Sequence, residues 1–148
     1  MKNNKTILLI ISGIIVVIIL GIGFYFNSEK FYTAADVLED VDFSVKESSV
    51  EFKKIDAELN FVPIKLTDKT QQELIKAFEK SKFKKDDNSR GIASNNYWLR
   101  ITLNRGYVMY LDLNKKQIAV ADNVGSHEGY LFEDDKGFFS ILEKAVTE

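Results

Sequence analysis

The sequence predicts an α+β fold, with an N-terminal transmembrane helix followed by one small domain. That domain is expected to be an antiparallel sheet of about four or five strands with two helices on one face. Three observations lead there. Residues 6–26 carry no charge, whereas the chain beyond them mixes apolar and charged residues throughout. Two runs, Tyr97-Trp-Leu-Arg-Ile-Thr-Leu103 and Tyr107-Val-Met-Tyr-Leu-Asp-Leu113, alternate apolar and other residues with a period of two, the mark of strands. Two segments with helical spacing flank this strand-rich stretch. A chain of 148 residues favours one folded domain. The expected division is a cytoplasmic N-terminus (1–5), an anchor (6–26), a juxtamembrane connector (27–49) and an extracytoplasmic domain (50–148).

The anchor is read from length and composition. Its 21 residues span about 31 Å as a helix at about 1.5 Å per residue, close to the roughly 30 Å of a bilayer's hydrocarbon. The run is apolar on every face, and Phe24, Tyr25 and Phe26 gather at one end as interfacial aromatics do. A cleaved signal peptide would have a shorter apolar region of about 7–15 residues, closed by a small-x-small site. The flank here is Phe-Tyr-Phe-Asn, so an uncleaved signal-anchor is expected. Lys2 and Lys5 precede the run, while Glu29, Lys30, Asp36, Glu39 and Asp40 follow it. Positive-inside logic then puts the N-terminus in the cytoplasm and the domain outside, a single-pass membrane protein.

Within the connector, Val37, Leu38 and Val41 suggest a short helix over 34–43, and residues 44–49 read as exposed linker. Val50-Glu-Phe-Lys53 suggests a strand. Leu59, Phe61, Ile64 and Leu66 suggest an edge strand whose phase slips by one residue at Pro63, as a bulge would produce. Asp68-Lys-Thr-Gln71 matches a capping box, and Leu74, Ile75 and Phe78 form the stripe of the helix it opens. Lysines 69, 76, 80, 82, 84 and 85 read as that helix's solvated surface.

The hairpin follows. A three-residue turn at Asn104-Arg-Gly106, with Gly106 at positive φ, pairs Leu103 with Tyr107, Ile101 with Met109 and Leu99 with Leu111. The other face then sets Trp98 opposite Asp112 and Arg100 opposite Tyr110. Ile118 and Val120 form a third strand, and Tyr130 and Phe132 a fourth. A closing helix, capped by Asp134 or Asp135, buries Phe138, Ile141, Leu142 and Ala145.

Composition narrows the chemistry. Without cysteine the chain has no disulfide, thiolate ligand or cysteine nucleophile. Of its 20 basic residues, 18 lie beyond the anchor against 22 acids, a balance that argues against a nucleic-acid partner. His127 is the single histidine, and Ser126-His127-Glu128 cannot be a triad, because adjacent residues do not face one another. Asp86-Asp-Asn-Ser-Arg-Gly91 resembles a calcium loop, but Arg90 stands where a ligand belongs and Tyr97 replaces the closing glutamate. No catalytic residue, metal site or cofactor is expected.

The arrangement of an anchor, the helix with Leu74-Ile-Lys-Ala-Phe78, the two alternating runs and Gly129-Tyr-Leu-Phe132 resembles that of small membrane-anchored extracytoplasmic domains of unknown function in low-GC Gram-positive bacteria. The resemblance implies an extracytoplasmic location and assigns no activity.

The remaining constellation is Trp98, Arg100, Tyr110 and Asp112 on the sheet face away from the core, residue types enriched at binding hot spots. The expected function is therefore a non-catalytic interaction domain that binds a protein or an envelope component. The alternatives are a tethered immunity or inhibitor domain and a cell-wall hydrolase.

Overall fold

The computed structural model describes residues 13–19, 30–86, 96–121 and 126–147. It contains two compact units, Met1–Lys30 and Phe31–Glu148. In the second, the elements run β1 (Phe31–Thr33), α1 (Ala34–Val37), β2 (Ser49–Ile55), β3 (Phe61–Ile64), α2 (Asp68–Lys80) and β4 (Lys82–Lys85). They continue with β5 (Tyr97–Thr102), β6 (Gly106–Asp112), β7 (Gln117–Ala121), β8 (His127–Asp134) and α3 (Phe138–Thr147). The strands form one antiparallel sheet in the order β1-β4-β8-β7-β6-β5-β2-β3.

The class is α+β, but the sheet has eight strands rather than four or five. Two of them were concealed by their composition. β1 is only three residues long and lies inside the stretch read as connector. β4 is Lys82-Phe-Lys-Lys85, which read as the lysine-rich end of a helix. Its single apolar residue, Phe83, is wholly buried, and that anchors the strand.

The spanning anchor is also corrected. Among the described residues no helix is long and apolar enough to cross a membrane. Of the 6–26 run, residues 13–19 are described and helical. The single-pass topology and the outward placement of the domain rested on that span and fall with it. Lys2, Lys5 and the aromatic cluster 24–26 lie outside the described residues.

The core explains why the helices share one face. α2 contributes Leu74, Ile75, Ala77 and Phe78, and α3 contributes Phe138, Phe139 and Leu142. These pack with Val50, Phe52, Leu99, Ile101, Met109, Leu111 and Ile118 from alternate strand positions. At its centre is a cluster of phenylalanines. Phe78 lies 5.1 Å from Phe83, 5.9 Å from Phe132 and 5.5 Å from Phe138, ring centre to ring centre, and Phe132 lies 4.8 Å from Phe139.

Local chemistry sets the element ends. The cap of α2 is Thr67, one residue before the expected Asp68, and its Oγ1 accepts the N–H of Thr70 (3.2 Å). Gln71 is thereby released from capping, and its Oε1 accepts the Val50 N–H of β2 (2.8 Å). Pro63 does sit on an edge strand, but β2 and β3 pair without interruption from Phe52–Ile64 to Ile55–Phe61. The register shift falls between Lys82 and Phe83 instead. The β2–β3 turn is held by the Asp56 carboxylate, which accepts the N–H groups of Glu58 and Asn60 (2.9 and 2.8 Å).

Asp135 closes the approach to α3. Burial pushes its carboxyl pKa up, but the N–H of Gly137 (3.0 Å) and the Lys116 ammonium (3.1 Å) outweigh this and hold it below the ordinary 3.8. A carboxyl lowered on folding stabilises the protein above its unfolded pKa and loses that contribution as pH falls through the folded value. The stability difference between the native chain and Asp135→Asn should therefore be constant near neutral pH and shrink below about pH 4, read from urea midpoints. Phe78→Ala, at the centre of the aromatic cluster, should cost about 3–5 kcal/mol in the same assay.

Candidate functional site

Because both long helices bury their apolar sides against one face of the sheet, the other face carries no helix among the described residues. Strand registers place one row of residues straight across it. Lys53 lies opposite Pro63 on one side and Trp98 on the other, then Tyr110, Ala119 and Gly129 follow. At about 4.8 Å per strand the row runs about 24 Å from β3 to β8.

The hairpin register differs from the expected one by two residues. Trp98 faces Tyr110 rather than Asp112, and Arg100 faces Val108 rather than Tyr110. The loop is Leu103-Asn-Arg105, and Gly106 already belongs to β6, without positive φ. The cause is tertiary. Asn104 accepts the Asp42 N–H at Oδ1 (3.0 Å) and donates from Nδ2 to the Asp40 carbonyl (2.8 Å), and Arg105 donates to the carbonyl of Glu39. A two-residue shift leaves every side chain on its expected face.

Trp98, Arg100 and Tyr110 thus share the open face, with Trp98 and Tyr110 half-buried and Arg100 exposed. Asp112 does not join them. It is only 5% exposed, lies past the last β5–β6 pair and is engaged with Lys115, accepting its N–H (3.1 Å) and facing its ammonium (3.6 Å). Other residues extend the surface in its place. The Lys53 ammonium stands 4.5 Å from the Trp98 ring centre, and the exposed Phe61 meets Trp98 edge-on at 6.2 Å. On the other side His127 lies 5.5 Å from the Tyr110 ring. The alternation in Val50-Glu-Phe-Lys53 was the signal for Lys53, since it sets Lys53 opposite in face to Phe52. Phe61 and His127 come from distant strands, and only the pairing of those strands brings them here.

Among the described residues, the Trp98 indole N–H, the Tyr110 hydroxyl and the Arg100 guanidinium have no hydrogen-bond or ion-pair partner. The face therefore combines aromatic surface with unfilled donors.

Groups elsewhere are occupied locally. A cleft of about 380 Å³ is lined by Asp36, Arg105, Glu128 and Tyr130. Asp36 accepts the N–H and hydroxyl of Thr33 (2.7 Å each), and Tyr130 donates to Glu128 (2.7 Å), which also meets Lys85 (3.1 Å). Burial first, then Glu128, raises the Tyr130 phenol well above its ordinary 10.0, so it remains a donor. The two buried polar side chains among the described residues, Ser81 and Asp112, both serve backbone turns. No group of three His, Cys, Asp or Glu among these residues can hold a metal ion. Positions 87–91 of the calcium-like segment lie outside them.

Neither a protein-family model nor a curated protein nor a solved structure matches the chain.

As a turn-holding group, Asp112 has a testable signature. Asp112→Ala should lower stability by about 1–3 kcal/mol, the cost of breaking a buried charged hydrogen bond. It should leave the near-ultraviolet circular dichroism of Trp98 unchanged, because the two residues do not touch across the hairpin.

Proposed function

We propose that Phe31–Glu148 forms a non-catalytic interaction domain that binds a partner protein across the open sheet face. The carrying observation is that, among the described residues, the donors of Trp98, Arg100 and Tyr110 are unfilled and no helix lies over their aromatic surface. Trp, Tyr and Arg dominate binding energy because each combines a large contact area with a directional donor. In a free monomer such donors are hydrated. Under a partner they regain hydrogen bonds while the rings leave water.

Ring geometry favours a protein over a flat sugar surface. Phe61 and Trp98 meet at 78°, and Tyr110 and His127 at 56°. Rings tilted in this way form ridges and notches that fit side chains, rather than one plane on which a pyranose can lie.

A photo-crosslinking amino acid at Tyr110 should trap a partner in the producing cell, and the same group at the exposed Lys76 of α2 should not. Trp98→Ala should weaken the identified complex by about thirtyfold, a hot-spot loss of about 2 kcal/mol, with an unchanged far-ultraviolet spectrum. Undiminished affinity in Trp98→Ala would remove the open face from consideration.

A further inference from the structure

We infer that Arg100 anchors a carboxylate of an acidic, extended peptide segment in the partner, and that the bare α-carbon of Gly106 is the seat that presents its guanidinium. This rests on the open-face reading above and adds the partner's chemistry.

The local charge pattern leaves Arg100 uncompensated. Glu51 lies directly opposite it in register, yet the Glu51 carboxylate turns to Lys53 (3.4 Å). Lys53 in turn covers the Trp98 ring. One acid thus serves one of two cations, and the guanidinium, the group best shaped for a two-pronged grip on a carboxylate, is free.

Gly106 accounts for the position of that group. Its backbone does not need glycine, because its φ lies outside the left-handed region. A Cβ there would sit 2.7 Å from both Nε and Nη2 of Arg100, the far end of an exposed side chain, so alanine would displace the guanidinium rather than strain the backbone. The guanidinium lies flush on the α-carbon, which limits the conformations it must give up on binding and so favours affinity.

Partner chemistry follows from charge at two scales. The whole chain carries −2, whereas the β2–β5 part of this face holds Lys53 and Arg100 against Glu51. A long polyanion would leave that part and meet an acidic protein. A short acidic segment would not. At about 3.3 Å per residue, roughly seven extended residues cover the 24 Å row. Two copies of this chain would bring like charges together at Arg100, so self-association is disfavoured.

Trp98 is the single tryptophan, so its fluorescence reports on this face alone. The full-length chain is titrated with three peptides of about eight residues that alternate valine with glutamate, lysine or glutamine, and with polygalacturonate. The glutamate peptide should shift Trp98 emission, more weakly as salt shortens the screening length from about 10 Å at 0.1 M. Arg100→Ala should lower its affinity about tenfold, equivalent to about 1.4 kcal/mol. Gly106→Ala should lower it severalfold, and the double variant should be no worse than Arg100→Ala, since both changes remove one interaction. Unchanged urea midpoints separate this from misfolding, and Arg100→Ala, at an exposed position, serves if Gly106→Ala fails to fold. Equal response to the lysine or glutamine peptide, preference for polygalacturonate, no response to the glutamate peptide, or additive losses in the double variant would each overturn the inference. Equal binding of all three peptides, lost in Trp98→Ala, would overturn the acidic partner and leave the open-face reading standing.

Discussion

The contact on which the rest of this domain depends is the packing of Phe78, Phe83, Phe132, Phe138 and Phe139. It joins α2, β4, β8 and α3, elements that are scattered along the sequence. Aromatic side chains bury large areas and add edge-to-face attraction, and these five form one connected cluster. Their position draws both long helices to one side of the sheet. Among the described residues no helix lies on the other side.

The face without a described helix carries a mixed set of residues, with Arg100 exposed, Trp98 and Tyr110 half-buried and Ala119 buried. Lys53 shields the indole of Trp98, and Ala119 and Gly129 keep the middle of the row low. Exposed apolar surface rimmed by charge is the general mark of an interaction site. Pro63 limits the other obvious route to association. An edge strand with proline lacks one backbone donor, so another strand gains less by adding to β3.

The hairpin at the centre of that face shows how distant contacts override local turn preference. Asn104-Arg-Gly106 is a plausible turn with glycine in the left-handed position. In the folded chain Asn104 and Arg105 are instead held by the backbone of residues 39–42, more than sixty positions away. The hydrogen bonds fix the loop two residues' worth of pairing from the local solution and move Gly106 into the strand. Asp112 consequently passes the end of β5 and becomes a turn-holding residue.

By itself the sequence determined which residues share a face. Alternation with period two and apolar stripes with period 3.6 are local properties of the chain, and they assigned Trp98, Arg100 and Tyr110 to one side and Leu99, Ile101 and Met109 to the other. They also located α2, α3 and the central strands. Only the tertiary structure decided which strands are neighbours, because β1 and β4, which pair with each other and join β8 through β4, carry local patterns only three and four residues long. It likewise decided hairpin register and the membership of the aromatic row. These depend on hydrogen bonds and ring contacts between distant positions, and no local periodicity encodes a distance of that kind.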